Sequence, residues 1–539
     1  MRLSRMGSMH PTRLSFMRVL LRRAENDGWR YDRPVWNIDA DGVGHAVYRV
    51  RTPDRSYSLV AFAHDLPDEL RSDRVIAEAW DSTFALFDGE PTEADIARLR
   101  DNVPRQEAGR VSGSELTLSR ANRSVRLFGH VVDSLAAGHQ PDPAQIERVG
   151  YLMRTTAVYG SAKFGLSDRE AVADRAELSP PFQAEMLTVW LIRAFTVDVV
   201  EHLARARSDK AVDLDPAMRR RLGVGNSTGL GMAPFLINHP VLIHHWFQAR
   251  EEALARVRSA PLDADKWTRF LTAFRRARET VASWLTEHPY QVQKLAALDE
   301  DLTRLGDRLA RTEVSARDWD TLWTWGEEEL SMEGQELLLS LVLEPYGELV
   351  DDLVHDLAAD EAAAFALDGR QTVGALLDSI RRNYGWALRI DWALPDNQAR
   401  IWYTSEEKLE PRLGERFEEP LEPYEQTLGP ARDIAALTDV LAAWPLDTKV
   451  AEVLLAAPEH RHTVRRVQMV ARHPFGEVRD NTLGAEMMPI DLLRAKLSFF
   501  GATCFDPRSD RWVRITMFQG APFPQELGRV PMDEWMYGA

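Results

Sequence analysis

A chain of 539 residues is too long for one ordinary core, and at roughly 100–200 residues per domain it suggests two to four units. Hydrophobic residues at 45% and charged residues at 28%, with 16 Trp and 20 Phe, exclude wholesale disorder. A formal net charge of −17 disfavours a general role on nucleic acid or a membrane surface, and the single cysteine, Cys504, excludes an intramolecular disulfide and any cysteine-based zinc finger.

The chain opens on "MRLSRMGSMHPTRLSFMRVLLRRAENDGW", where Arg18 interrupts the apolar positions and makes a poor secretory signal. No later run approaches the roughly 18 uncharged apolar residues needed to span a bilayer, so a cytoplasmic protein without membrane or nucleic-acid partners is expected. A helical segment ending in Arg22-Arg23 leads to "NDGW", and then "AVYRVRTPDRSYSLVAF" alternates around Pro53-Asp54 as a β-hairpin does.

Further along, "YLMRTTAVYGSAKFG" gathers Arg154, Thr155, Tyr159 and Lys163, cations and hydroxyls that can clamp a carboxylate or phosphate. The helical segment "AEMLTVWLIRA" precedes "GVGNSTGLGMAPF", whose glycines, with Asn226, Ser227 and Thr228, suit an anion-holding loop. That loop follows no strand-like run, which weakens a dinucleotide fingerprint, and carries no Gly-Lys-Ser/Thr, which excludes a Walker A loop. The alternative is a tight connection whose glycines permit close packing.

From Val241 to Asp368 the pattern is helical with charged opposite faces, and Leu295, Leu298, Leu302, Leu305 and Leu309 repeat at 3,4 spacing. Two heptads are short for a coiled coil, so an intramolecular seam is expected, with homo-oligomerisation through helical surfaces left open.

The last third echoes the first in order. "NYGW" answers "NDGW"; "LRIDWALPDNQARIWYT" answers the first hairpin; "PFGEVRDN" answers "VYGSAKFG"; "AEMMPIDLLRA" answers "AEMLTVWLIRA" at six of eleven positions; and "APF" occurs twice. The expected fold is therefore α+β and predominantly helical: two degenerate pseudo-repeat halves, 12–240 and 369–539, each with a helix, a β-hairpin and following helices, joined by an all-helical middle, 241–368.

In the second half "ARHPFGEVRDN" supplies Arg472, His473, Arg479, Asp480 and Asn481 within ten residues, with histidine the group best suited to proton transfer near neutral pH. Consecutive His244 and His245 diverge on a regular helix and lack the spacing of a metalloprotease pair. No nucleotide or metal motif has adequate specificity, and the cofactor is unknown. These features together predict an enzyme, hydrolase or lyase before oxidoreductase, working by acid/base chemistry on a small anionic metabolite in a cleft between the halves. Tyr159, His473 and Asp480 would move protons; Arg154, Thr155, Lys163, Asn226, Ser227, Thr228, Arg472, Arg479 and Asn481 would bind the substrate. The alternative is a non-catalytic ligand-binding or scaffold protein that engages a partner through its helical middle.

Overall fold

The computed structural model describes residues 10–70, 79–103, 112–160, 172, 174–229, 240–313, 317–357, 366–394, 430–476, 494, 499–502, 504–509 and 512–529. It is a mixed fold in which helix predominates over sheet. Helix α1 (Phe16–Asn26) ends where Gly28 takes a φ of +63°, and the chain then enters β1 (Arg30–Ile38). β2 (Gly44–Arg51) and β3 (Ser56–Ala63) form the hairpin expected around Pro53-Asp54, with Arg51 opposite Ser56. β4 (Ser82–Asp88), α2 (Glu93–Asn102), β5 (Glu115–Arg123), α3 (Phe128–Ala136), α4 (Pro143–Val149) and β6 (Tyr151–Gly160) follow. Thr92 and Asp95 cap α2 reciprocally, and Asp142 with Pro143 starts α4, so both boundaries are written locally.

Helix α5 (Gln183–Arg207) carries "AEMLTVWLIRA" and is apolar around most of its circumference, as a buried helix must be. It crosses the sheet from β3 to β7. A short α6 (Pro216–Arg220) then delivers β7 (Gly223–Gly229), which runs parallel to β6. Strand alternation divides the sheet's apolar residues: Tyr48, Leu59 and Ala61 join the large core that contains α5, while Val47, Val60 and Phe62 pack with Ile96 and Leu99 of α2 in a smaller one.

Here the glycine segment departs from expectation. Gly223–Gly229 is an internal strand, not a ligand loop, paired with β6 on one side and with a C-terminal strand on the other. Its glycines answer to packing: a Cβ on Gly225 would stand 2.6 Å from the Tyr151 ring, and one on Gly223 would stand 2.4 Å from the Met517 carbonyl.

Further helices complete the main body and a smaller helical unit. α7 (Pro240–Ser259), α8 (Ala264–Ser283), α9 (Pro289–Arg311), α10 (Trp319–Glu329) and α11 (Met332–Leu343) share the large core with the sheet, and Leu298, Leu302, Leu305 and Leu309 of the leucine seam are buried inside it. α12 (Val373–Leu388) and α13 (Pro430–Ala442), with α14 (Val450–Ala456) and α15 (Arg461–Arg472), enclose a separate apolar cluster. Finally β8 (Cys504–Ser509) and β9 (Trp512–Met517) return to the sheet, giving the order β1-β2-β3-β4-β5-β6-β7-β9-β8 among the described residues.

The C-terminal strands thus extend the sheet begun at the N-terminus, where two halves with a hairpin each were expected. In the second expected hairpin, Leu388 ends α12 and residues 389–394 form turns and bends in place of a strand; residues 395–400 lie outside the described set. "NDGW" leaves a helix whereas "NYGW" lies inside α12, where Tyr384 alone departs from helical angles. At this pair the likeness is one of letters with different backbone, and most of "AEMMPIDLLRA" is outside the described residues.

Buried charge pairs fasten distant segments to the middle helices. Arg18 reaches Glu344 through two bonds of 2.5 and 2.8 Å, Arg13 grips Asp351, Arg250 pairs with Glu336 and Arg494 with Glu333. Phe16, Phe182, Phe499 and Phe500 add an aromatic knot from three parts of the chain, with Phe16 and Phe499 ring centroids 4.9 Å apart.

Candidate functional site

The first turn of α7 lies where the two larger cores meet: Val241 packs with α12, α13 and α15, while Leu242, Ile243 and Trp246 belong to the main core. His244 lies a turn after Val241, and 231 residues further on Phe475 sits in the 3-10 turn Pro474–Gly476 that follows α15 and packs on α7. The His473 amide closes the end of α15 by donating to the Met469 carbonyl at 2.8 Å, which directs its side chain to α7.

There three imidazoles gather. Ring centroids are 4.9 Å apart for His244 and His473, 5.6 Å for His245 and His473 and 5.9 Å for His244 and His245. His473 fits between the two diverging rings, so the divergence that disqualified the pair in sequence is what admits the third ring. The Phe475 amide donates to His244 Nδ1 at 3.2 Å, which places the neutral ring's proton on Nε2. Among the described residues the buried Nδ1 of His245 has no hydrogen-bond partner.

The cluster is neutral at pH 7. Burial, and then the neighbouring His473 and His245, pull His244 down to about 4. Burial lowers His245 against the opposing pull of Asp356, and burial, His245 and Arg472 lower His473. The lowered values keep the rings in the unprotonated form that can take up a proton, as weaker bases than a free imidazole. Among the described residues no group of three or more His, Cys, Asp or Glu is placed to hold a metal ion.

Of the residues singled out in sequence, His473 and Arg472 come together here, with Arg472 exposed at the end of α15. Arg154 and Thr155 are buried neighbours on β6 and so point to opposite faces of the sheet. Thr155 stands opposite Asn226, whose buried Oδ1 lacks a partner, and Arg154 stands opposite Gly225; Arg154 and Asn226 therefore occupy different faces. Tyr159 lies on β6 in register with Leu118, and Ser227 and Thr228 lie on β7 in register with Arg514 and Val513. Lys163, Arg479, Asp480 and Asn481 lie outside the described residues.

His244 and His245 were weighed in sequence only as metal ligands. No local signal links them to His473, because the contact is made by tertiary packing of two helix ends. No protein-family model, curated protein or solved structure matches the chain.

Proposed function

We propose that the protein is a cytoplasmic enzyme, a hydrolase or lyase before an oxidoreductase, that moves a proton on a small anionic metabolite at the His244–His245–His473 cluster. The observation that carries this reading is the packing of three imidazoles held neutral at pH 7, one with an unused buried nitrogen. His473, intermediate in exposure like His245, serves as base, and the exposed Arg472 beside it supplies the positive charge for a carboxylate or phosphate. Asp480, Tyr159, Lys163, Arg479 and Asn481 stay in the proposal as groups from the sequence reading. The scaffold alternative loses its main surface, because the leucine seam is buried within the protein.

The same reading keeps an ancestral duplication. Its support is that Arg193 and Arg494, equivalent in the two Ala-Glu-Met segments, are both buried.

A thermal-shift screen with small aliphatic carboxylates and phosphates tests the site. Ligand at about a hundredfold its Kd stabilises by about 2.7 kcal/mol, enough to read as a shift in Tm. The expected result is stabilisation by at least one anion, lost in Arg472→Gln and in His473→Gln. Stabilisation that survives both substitutions sinks the assignment.

A further inference from the structure

A second feature lies apart from the histidines and shares no residue with them. Helices α8 and α9, with Arg317 just before α10, enclose a cleft of about 410 Å³, a volume within the roughly 300–1,000 Å³ of small-molecule sites. Its wall is aromatic: Trp267 and Phe274 are buried side chains that line it. Two cations overhang that wall, with the Arg317 guanidinium 4.8 Å from the Trp267 ring and that of Arg278 5.9 Å from the Phe274 ring. The lining carboxylate, Asp307, pairs at 3.6 Å with Arg311 of its own helix and with neither overhanging arginine.

Unused hydrogen-bonding capacity accompanies the cations. Trp267 is only 4% exposed, yet among the described residues its indole Nε1 has no acceptor, and the buried Nε of Arg317 has none either. A buried donor left without an acceptor carries the desolvation penalty of its N–H, so an occupant carrying acceptors would relieve it. Gly306 keeps the wall open: a Cβ there would lie 3.6 Å from both Phe274 Cζ and Arg278 Nη1, and any larger side chain would enter the space beside them.

We propose that this cleft binds a small aromatic carboxylate. The ring would lie against Trp267 and Phe274, and the carboxylate would face Arg317 and Arg278 with the Trp267 indole N–H as a further donor. An aromatic wall calls for a flat apolar body, and two guanidiniums call for an anion; a free inorganic anion would leave the wall unused.

Calorimetric titration of the full chain with benzoate, phenylacetate and indole-3-acetate, and with inorganic phosphate for comparison, tests this. At least one aryl acid is expected to bind saturably, with phosphate at least tenfold weaker. Affinity should fall at least tenfold in Arg278→Gln with Arg317→Gln, and binding should vanish in Gly306→Phe, whose side chain occupies the cleft. His473→Gln should leave it unchanged, which separates this site from the proton-transfer cluster. Absence of saturable binding by every aryl acid overturns the proposal, as does binding that survives both Arg278→Gln, an exposed substitution safe for folding, and Gly306→Phe. Phosphate binding as tightly as the aryl acids overturns the ligand class.

Discussion

Gly225 faces the Tyr151 ring so closely that one added carbon has nowhere to go: an ideal Cβ would meet three ring atoms at 2.6 to 2.7 Å. A ring held in an internal strand pair can yield only by moving the sheet or by leaving a buried position. Gly225→Ala should therefore cost about 2–3 kcal/mol, in the range of overpacked cores. Urea unfolding measures it, and Tyr151→Leu in the same background should restore part of the loss. An unchanged midpoint in Gly225→Ala would mean that the glycine is not there for the ring. Close by, Arg193 shows the reverse solution to crowding. It is fully buried, and burial pulls it down to about 9 against the opposing pull of Glu526, yet it donates to the carbonyls of Leu222, Ala521 and Arg220 and lies 3.9 Å over the Phe523 ring. One side chain of α5 thus ties the crossover before β7 to the segment after β9.

Helix α11 plays that part on a larger scale. Glu333 and Glu336 within it and Glu344 just beyond it are buried, and each receives an arginine from elsewhere: Arg494, Arg250 and Arg18. Removing one partner of such a pair strands a charge, at a cost of about 3–5 kcal/mol, whereas replacing both by apolar groups is often neutral. Arg250→Met alone should lower stability by that amount, and Arg250→Met with Glu336→Leu should recover most of it; equal losses in the single and double variants would refute the pairing. In sequence these acids resemble a solvated face, since Glu333 and Glu336 are three apart opposite a leucine run. Their partners lie 161 and 86 residues away, which no local pattern encodes. The Pro53-Asp54 hairpin and the leucine seam were legible because turn chemistry and helical spacing act over a few residues. In Gly223–Gly229 the strand is not legible, because Gly225 and Gly223 answer to Tyr151 and Met517, not to their own neighbours, although close packing is one of the two readings the sequence offers. Of the site, His473 was legible as a residue type, while its two partners had to be supplied by packing.

At the scale of the whole molecule, the buried histidines make acid stability directional. His244, His245, His473, His45 and His64 all have folded pKa values below the ordinary 6.5, so between those values the unfolded chain binds more protons. Stability from this source is complete above about pH 6.5 and declines as pH falls; for His244 the decline continues to about pH 4 and is on the order of 2–3 kcal/mol. Glu333 supplies the next window. Burial alone would raise its pKa, but Arg494 and His10 outweigh that and hold it at about 2, so its contribution is present above 4.5 and lost as pH falls toward 2. Global charge acts oppositely at first, because a chain with a formal charge of −17 at pH 7 sheds self-repulsion on mild acidification. A difference measurement removes that shared contribution. His244→Asn keeps an acceptor for the Phe475 amide but cannot titrate, so urea unfolding between pH 7 and 4 should show a shallower loss than the parent chain, with the two curves converging toward the acid end. Parallel curves across that interval would mean that His244 protonates as readily in the folded chain as in the unfolded one, and would remove the electrostatic basis for a neutral histidine cluster.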